Sequence, residues 1–151
     1  MTEQFVIQSD IALMPSVEER LFHFCHLCHV GNYYSAVSVA VLQAVENAIV
    51  HGNNRDRVKL VTLTMGTCRG GLFVEVADQG EGFDHTRYGD LRVDGQPEGE
   101  GIFIMRRLAD RVSFADEGRR VRMEFSVAGI DPADAMERAA VLRNHWALVA
   151  V

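Results

Sequence analysis

The segment from Ser35 to Gly52 carries the strongest helical pattern in the chain and constrains the fold more than any other feature. Its apolar residues recur at intervals of one, three and four, namely Val37, Val41, Val45, Ala48 and Ile49. This spacing predicts a helix that buries one stripe against another layer of structure and ends at Gly52. Gln43, Asn47 and His51 lie four residues apart on a neighbouring face, so all three side chains could reach one ligand.

Two glycine-containing segments follow this helix. Strands predicted over 58–65 and 72–77 form a hairpin, and the second strand ends at Asp78-Gln79-Gly80-Glu81-Gly82-Phe83. The later segment is Gly99-Glu100-Gly101, just before a predicted helix over 102–112. A helical asparagine can offer an oxygen to Mg²⁺, a strand-end aspartate can read a base edge, and glycine amides opening a helix can hold phosphate. The three segments together predict a nucleotide site.

The remaining patterns complete one α+β domain. They predict a strand at 5–7, a helix from Ser16 to Val30 with a Ser16–Glu19 capping box, and strands at 112–115 and 119–127. Residues 84–98 show little periodicity and contain glycine and proline, which predicts a mobile loop covering a site. We therefore divide the chain into a domain at 1–127 and a helical extension at 128–151, which packs on the domain or on a second copy.

Composition excludes several classes of function. With 151 residues and 48% hydrophobic content the chain is long enough for one core. A net charge of −6 argues against nucleic acid or an anionic membrane surface as the main partner. We expect no membrane span, because no run of about 18 apolar residues exists. The acidic and polar start does not resemble a signal peptide, so we expect a cytoplasmic protein.

A second group of potentially ligating residues lies at His23-Phe24-Cys25-His26-Leu27-Cys28-His29. The segment contains the C-x-x-C-H pattern of covalent haem attachment and enough cysteine and histidine for a zinc site. On a helix, however, the apolar and ligating residues at i, i+1, i+4, i+7 and i+8 share the spacing of a buried stripe, namely Leu21, Phe22, Cys25, Cys28 and His29. Core packing is the favoured interpretation, and zinc and haem are the alternatives.

The three nucleotide segments resemble a known family. In order and spacing, residues 43–52, 78–83 and 99–105 resemble the N box and the two glycine boxes of the ATP-binding fold shared by histidine kinases, type II topoisomerases, a class of heat-shock chaperones and mismatch-repair proteins. The amino-acid sequence of residues 47–52 and 101–112 is most similar to that of the stand-alone bacterial anti-sigma-factor serine/threonine kinases. The resemblance covers roughly residues 30–127.

The resemblance implies a fold and a set of roles. The fold is a two-layer α+β sandwich of the Bergerat type, with a mixed, mostly antiparallel sheet and helices on one face. Asn47 would coordinate Mg²⁺, His51 would lie near the phosphates, and Asp78 would accept a hydrogen bond from the adenine amino group. The full set of residues implied to bind ATP is Asn47, His51, Asp78, Gly80, Gly82, Phe83, Gly99, Gly101 and Ile102. A Walker-type NTPase is excluded, because the only lysine is Lys59 in a predicted strand.

The catalytic position departs from the family pattern. Where the anti-sigma kinases have a general-base glutamate four residues before the asparagine, this chain has Gln43. An amide cannot accept a proton at neutral pH, and general-base catalysis is typically worth about 10²- to 10⁴-fold in rate. Glu46 is a second candidate base, but it lies about 100° around the helix from Asn47. After Gly118 the chain has Arg119-Arg120, where the family often has a threonine.

Four functions follow from these observations. The first is a serine kinase that binds a sigma factor or its antagonist and phosphorylates the antagonist. The second is a nucleotide-binding switch that has lost transfer chemistry, and the third is a detached histidine-kinase ATP module, for which no phosphohistidine helix pair precedes the domain. The fourth is an α/β domain without nucleotide. A homodimer is expected by analogy with the anti-sigma kinases, with the apolar stripe at Trp146 as a candidate surface.

Overall fold

The computed structural model describes residues 2–87 and 97–127. These residues form five strands and three α-helices: β1 (Thr2–Gln8), α1 (Met14–Leu27), α2 (Tyr34–Asn47), β2 (Leu60–Cys68), β3 (Gly71–Ala77), α3 (Pro97–Leu108), β4 (Arg111–Ala115) and β5 (Arg120–Ser126). A five-residue π-helical turn, Ala48–Gly52, extends α2. Short 3₁₀ turns lie at Ile11–Leu13, Gly31–Tyr33, His85–Arg87 and Asp116–Gly118.

The strands form one sheet in the order β1-β2-β3-β5-β4, and each described pairing is antiparallel. Apolar residues alternate along the strands, so paired residues such as Leu63, Val76 and Val121 share one buried face. The helices cover this face, while the opposite face carries polar residues such as Thr64 and Arg122. The predicted α+β sandwich with helices on one face is confirmed.

Helix α2 is the centre of the helical layer. It packs between α1 and α3 and also contacts β3 and β5. Its buried side chains include Val37, Val41 and Val45, each fully buried. The helical stretch Gly31–Gly52 that contains α2 is also long and apolar enough to cross a membrane by length and composition. The burial of α2 between two helices and the sheet accounts for that apolar character.

Two buried cysteines, Cys25 and Cys28, lie at the end of helix α1. His29 adopts a left-handed conformation with φ of 57°, and the amide of Val30 donates to the carbonyl of Cys25 at 2.8 Å. This is a Schellman-type end. Cys25 is fully buried and Cys28 is 3% exposed. Burial, with the neighbouring Cys28, raises the pKa of the Cys25 thiol to about 12. The predicted core packing is confirmed for Leu21, Cys25 and Cys28, whereas Phe22 and His29 of the predicted stripe are exposed. Within residues 2–87 and 97–127 no cluster of three or more metal-ligating side chains occurs.

Two predicted helix starts are wrong. Helix α1 begins at Met14, so Ser16 lies inside it and its hydroxyl donates to the carbonyl of Leu13 at 2.6 Å instead of forming a capping box. Helix α3 begins at Pro97 and ends at Leu108, whereas 102–112 was predicted. Glycine-rich sequence has low helix propensity, which placed the predicted start of α3 too late.

Two predicted strand starts are also wrong. Strand β1 begins at Thr2, whereas the sequence pattern predicts a strand at 5–7. Strand β2 begins at Leu60, whereas Val58 was predicted. The amide of Val58 donates to the side chain of Asp56, and the amide of Lys59 donates to the Asp56 carbonyl, so these residues form a turn. The predicted helix in 128–151 and most of the predicted loop at 84–98 lie outside the described residues.

Candidate functional site

An open cleft of about 670 Å³, solvent included, lies between α2, α3 and the ends of the central strands. Six residues predicted from the sequence line it, namely Asn47, His51, Asp78, Gly82, Phe83 and Ile102. Its other walls include six residues that the sequence did not suggest, namely Ala44, Ala48, Val76, Met105, Phe114 and Val121. All six residues of this second group are apolar, and an apolar wall suits a flat heterocyclic ring.

Asp78 projects from the end of β3 into this cleft. Its amide donates to the carbonyl of Arg119 at 2.9 Å, and its Oδ1 accepts from the amide of Gly80 at 2.8 Å. Burial raises the pKa of the Asp78 carboxyl, while the hydrogen bond from Gly80 and the charge of Arg119 oppose that rise. Asp78 is thus a partly desolvated carboxylate fixed at the edge of an apolar slot, and it can accept a hydrogen bond from a ligand.

Asn53 holds the loop that follows Asp78, and the sequence reasoning missed it. Its side chain is fully buried, and its Nδ2 donates to Ser9 Oγ at 2.9 Å and to the carbonyl of Leu60 at 3.1 Å. Its Oδ1 accepts from the amide of Gln79 at 2.8 Å. Asn53 stands directly after Gly52 in the polar run Gly52-Asn53-Asn54-Arg55-Asp56, so no local pattern distinguishes it from an ordinary surface residue.

The loop from Gly80 to Phe83 packs tightly on the turn before β5. Gly82 has φ of +84°, and a β-carbon there would lie 2.4 Å from the carbonyl oxygen of Glu117. The amide of Phe83 donates to the same carbonyl at 2.9 Å. A residue with a side chain at position 82 would separate the two segments, so glycine is required by both conformation and space.

Asn47 lies against the beginning of α3. A β-carbon on Gly101 would lie 2.8 Å from Asn47 Nδ2 and 3.2 Å from Oδ1, so the Asn47 side chain packs directly on the α3 backbone here. Gly99 is the third residue of α3, and its amide belongs to the first four that a helix leaves unpaired. Gly101 is the fifth residue, so the expectation that its amide opens the helix is wrong. Its role in the structure is to let Asn47 reach α3.

The π-helical turn changes the position of His51. The amide of Asn53 donates to the carbonyl of Ala48 at 2.8 Å, which is the wider i to i+5 spacing. The added residue shifts His51 from the face that a regular helix would give it, yet its exposed side chain lines the cleft. Such turns occur frequently at functional sites.

Neither of the two candidate bases lines this cleft. Gln43 is half-buried one turn before Asn47, and Glu46 is exposed to solvent. Three of the glycines predicted to bind ATP are also absent from the cleft lining, namely Gly80, Gly99 and Gly101. The arrangement therefore offers an apolar slot, a hydrogen-bonding carboxylate and an amide oxygen beside a helix start, whereas the predicted proton acceptor is a glutamine.

Comparison with known proteins finds a matching family and two similar curated proteins. The model of the histidine kinase-like ATPase domain matches residues 27–125. Two similar curated proteins are the anti-sigma F factors of Clostridium botulinum strain Alaska E43 / Type E3 and strain Eklund 17B / Type B. Each is 29% identical over 99 residues, which cover 60% of this chain and 68% of the relative.

Proposed function

The chain belongs to the histidine kinase-like ATPase family, and on that basis we propose that it binds ATP with Mg²⁺ and acts as a regulatory protein of the anti-sigma-factor type. One observation carries the nucleotide proposal. The carboxylate of Asp78 stands at the edge of an apolar slot, and the amide of Asn47 lies beside the start of α3 on the adjoining wall.

The described residues fit this ligand. The base would lie among Ala48, Val76 and Met105, with its exocyclic amino group donating to Asp78. The phosphates would lie near the amino-terminal end of α3, where unpaired amides and the helix dipole favour negative charge. Asn47 would hold Mg²⁺ through Oδ1, since amide oxygens are suitable ligands for this ion.

The regulatory part of the proposal comes from the relatives. Because two similar proteins are anti-sigma F factors, we expect this chain to bind a sigma factor, its antagonist, or both, in the cytoplasm. Nucleotide binding would change which partner is held. The expected partner class is therefore protein, without direct contact to nucleic acid or membrane, and the expected assembly is a homodimer.

Two versions of this function differ in their chemistry. When bound, ATP supplies a γ-phosphoryl group for transfer to a serine hydroxyl. Gln43 could orient that hydroxyl through its amide, but it cannot take the proton. The first version is a serine kinase in which positioning supplies most of the catalysis. The second is a switch without transfer, and the exposed position of Glu46 favours this second version.

Calorimetric titration tests the shared premise. We expect heat of binding with ATP and Mg²⁺ at high protein concentration and a much weaker signal with EDTA. Absence of heat in both conditions would reject the nucleotide proposal. A mutant series then separates the versions. Labelled ATP and a serine-bearing antagonist are incubated with wild type, Gln43→Glu and Glu46→Gln.

The switch version predicts that Gln43→Glu transfers phosphate about 10²- to 10⁴-fold faster than wild type. Measurable transfer by wild type at the same rate as Gln43→Glu would show that Gln43 is no obstacle and would reject the switch version. Glu46→Gln is the matched control, and a rate loss there would identify Glu46 as the base. Acid-labile label on the protein itself would instead support the detached histidine-kinase module.

A further inference from the structure

Arg119 joins two loops at the edge of the cleft. Its Nε donates to the carbonyl of Gly80 at 2.8 Å, and its Nη2 donates to the carbonyl of Glu81 at 3.1 Å. Its Nη1 donates to the carbonyl of Asp116 at 3.2 Å. One guanidinium therefore bridges three backbone carbonyls that belong to segments far apart in the sequence. Lysine could not do the same, because its single ammonium has no fork of donors.

The backbone around Arg119 makes the same connection. The carbonyl of Arg119 accepts from the amide of Asp78 at 2.9 Å, and the amide of Arg119 donates to the carbonyl of Asp116 at 3.0 Å. Beside them, the amide of Phe83 donates to the carbonyl of Glu117 at 2.9 Å. The Arg119 side chain thus reinforces a backbone contact between the loop at 78–83 and the turn at 116–118.

That turn has an unusual backbone. Asp116, Glu117 and Gly118 have φ values of 52°, 56° and 87°, so three successive residues are left-handed. Residues with side chains adopt this conformation rarely, and it persists only where surrounding contacts fix it. Arg119 is only 26% exposed and supplies such contacts. Its ion pairs with Asp116 and Glu117, both 3.5 Å long, contribute less because those carboxylates are well exposed.

From these contacts we propose that Arg119 is a positioning residue that fixes the loop at 78–83 and thereby sets the preference of the cleft for adenine over guanine nucleotides. This inference rests on the proposed nucleotide site. Adenine presents an amino donor at the position where guanine presents an oxygen acceptor, so only a fixed carboxylate at Asp78 discriminates between them. Each nitrogen of the Arg119 guanidinium donates to a backbone carbonyl, and these bonds hold the side chain against both loops.

The charge of Arg119 gives the proposal a second readout. Asp78 faces Arg119, Asp116 and Lys59, and His51 lines the same cleft. Burial raises the pKa of Asp78, and the positive charges of Arg119 and Lys59 counteract that rise. Without the Arg119 charge, Asp78 is protonated at a higher pH, so ATP binding is lost at a higher pH on acidification. Arg119→Lys keeps the charge but loses the hydrogen bonds to the three carbonyls.

The experiment compares wild type with Arg119→Ala, Arg119→Lys and the control Arg120→Ala. Arg120 is the exposed neighbour and lies outside the cleft lining. We expect ATP affinity to fall about 10- to 100-fold in both Arg119 variants, because binding must then order the loop. The ratio of ATP to GTP affinity should fall by about tenfold, since loss of orientation removes one hydrogen-bond preference. The pH below which ATP binding is lost should rise only in Arg119→Ala. Arg120→Ala should resemble wild type.

Amide hydrogen exchange without nucleotide tests the clamp independently. We expect faster exchange at Asp78 and Phe83 in both Arg119 variants than in Arg120→Ala. Unchanged exchange at these amides, or an unchanged ATP to GTP ratio in Arg119→Ala, overturns the inference. If wild type binds neither nucleotide, the proposed function fails, and with it the claim about base preference, while the exchange data still decide whether Arg119 fixes the loop.

Discussion

Helix α1 and the end of α2 both carry side chains able to bind a ligand, but the two regions treat them differently. Helix α1 turns Cys25 and Cys28 inward, whereas His26 and His29 are exposed to solvent. Helix α2 sends Asn47 toward an open cleft that it shares with Asp78. The difference shows that residue type and spacing suggest a site, whereas the direction of the side chains relative to the core decides it.

The largest expected effect tests the α2 side of this comparison. Asn47→Ala should weaken ATP binding about 100-fold in the presence of Mg²⁺, because a ligand to a charged centre is lost. Calorimetry in Mg²⁺ and in EDTA checks this, and the two proteins should converge in EDTA. His23→Ala on α1 is the matched control and should bind like wild type. Equal affinity of Asn47→Ala and wild type would remove Asn47 from the site.

A somewhat smaller effect is expected at Asp78. In Asp78→Asn, an amide that still accepts from Gly80 turns its NH₂ group toward the amino group of the base, so affinity should fall about 30-fold. Calorimetry measures this loss. Tight ATP binding by the variant would contradict the assigned role of the carboxylate.

The same variant makes a prediction about stability. Because the pKa of Asp78 is raised in the folded protein above its ordinary value of 3.8, the folded state binds the proton more tightly than the unfolded state. Wild type therefore loses stability relative to Asp78→Asn as pH rises from 3.8 through the folded pKa. Thermal unfolding without nucleotide at pH 7.5 should show a midpoint for the variant equal to or above that of wild type. A clearly lower midpoint would show that the charge stabilises the fold.

The smallest effect concerns α1. Cys25→Ala should lower the free energy of unfolding by about 1 kcal/mol through lost packing and leave ATP affinity unchanged. Because the Cys25 pKa is about 12, iodoacetamide at pH 8 should modify the half-buried Cys68 well before Cys25. Mass spectrometry of the labelled protein checks the order. Rapid modification of Cys25, or stabilisation by zinc, would place a site in α1 after all.

Most of the fold could be predicted because its apolar periodicity was clear. The stripe of α2 and the alternation in β2, β3 and β5 correspond to buried faces in the structure. Helix starts failed where local sequence and tertiary packing disagree. The glycines of α3 lower helix propensity, yet Ile102 and Met105 are almost fully buried, and this packing stabilises the helix.

The site could be predicted only in part. The side chains that would meet a ligand stand out by type, as Asn47 and Asp78 do. Asn53 and Arg119 hold the loops through contacts between segments that are distant in the sequence. Such contacts cannot be predicted from a local sequence pattern. Gln43 was found from the sequence because it departs from a family pattern.

The hydrogen bond between Asn53 and Ser9 shows that the region matched by the family model is shorter than the unit that holds the cleft loop. The family model matches from residue 27 onward, so the matched region leaves out β1, most of α1 and Ser9. Yet Ser9 accepts from the fully buried Asn53, and Asn53 in turn holds the amide of Gln79 beside Asp78. A chain trimmed to the matched region would keep every residue of the cleft and lose an anchor of its loop. The hydrogen-bonded unit that holds the loop is therefore longer than the region that matches the family model.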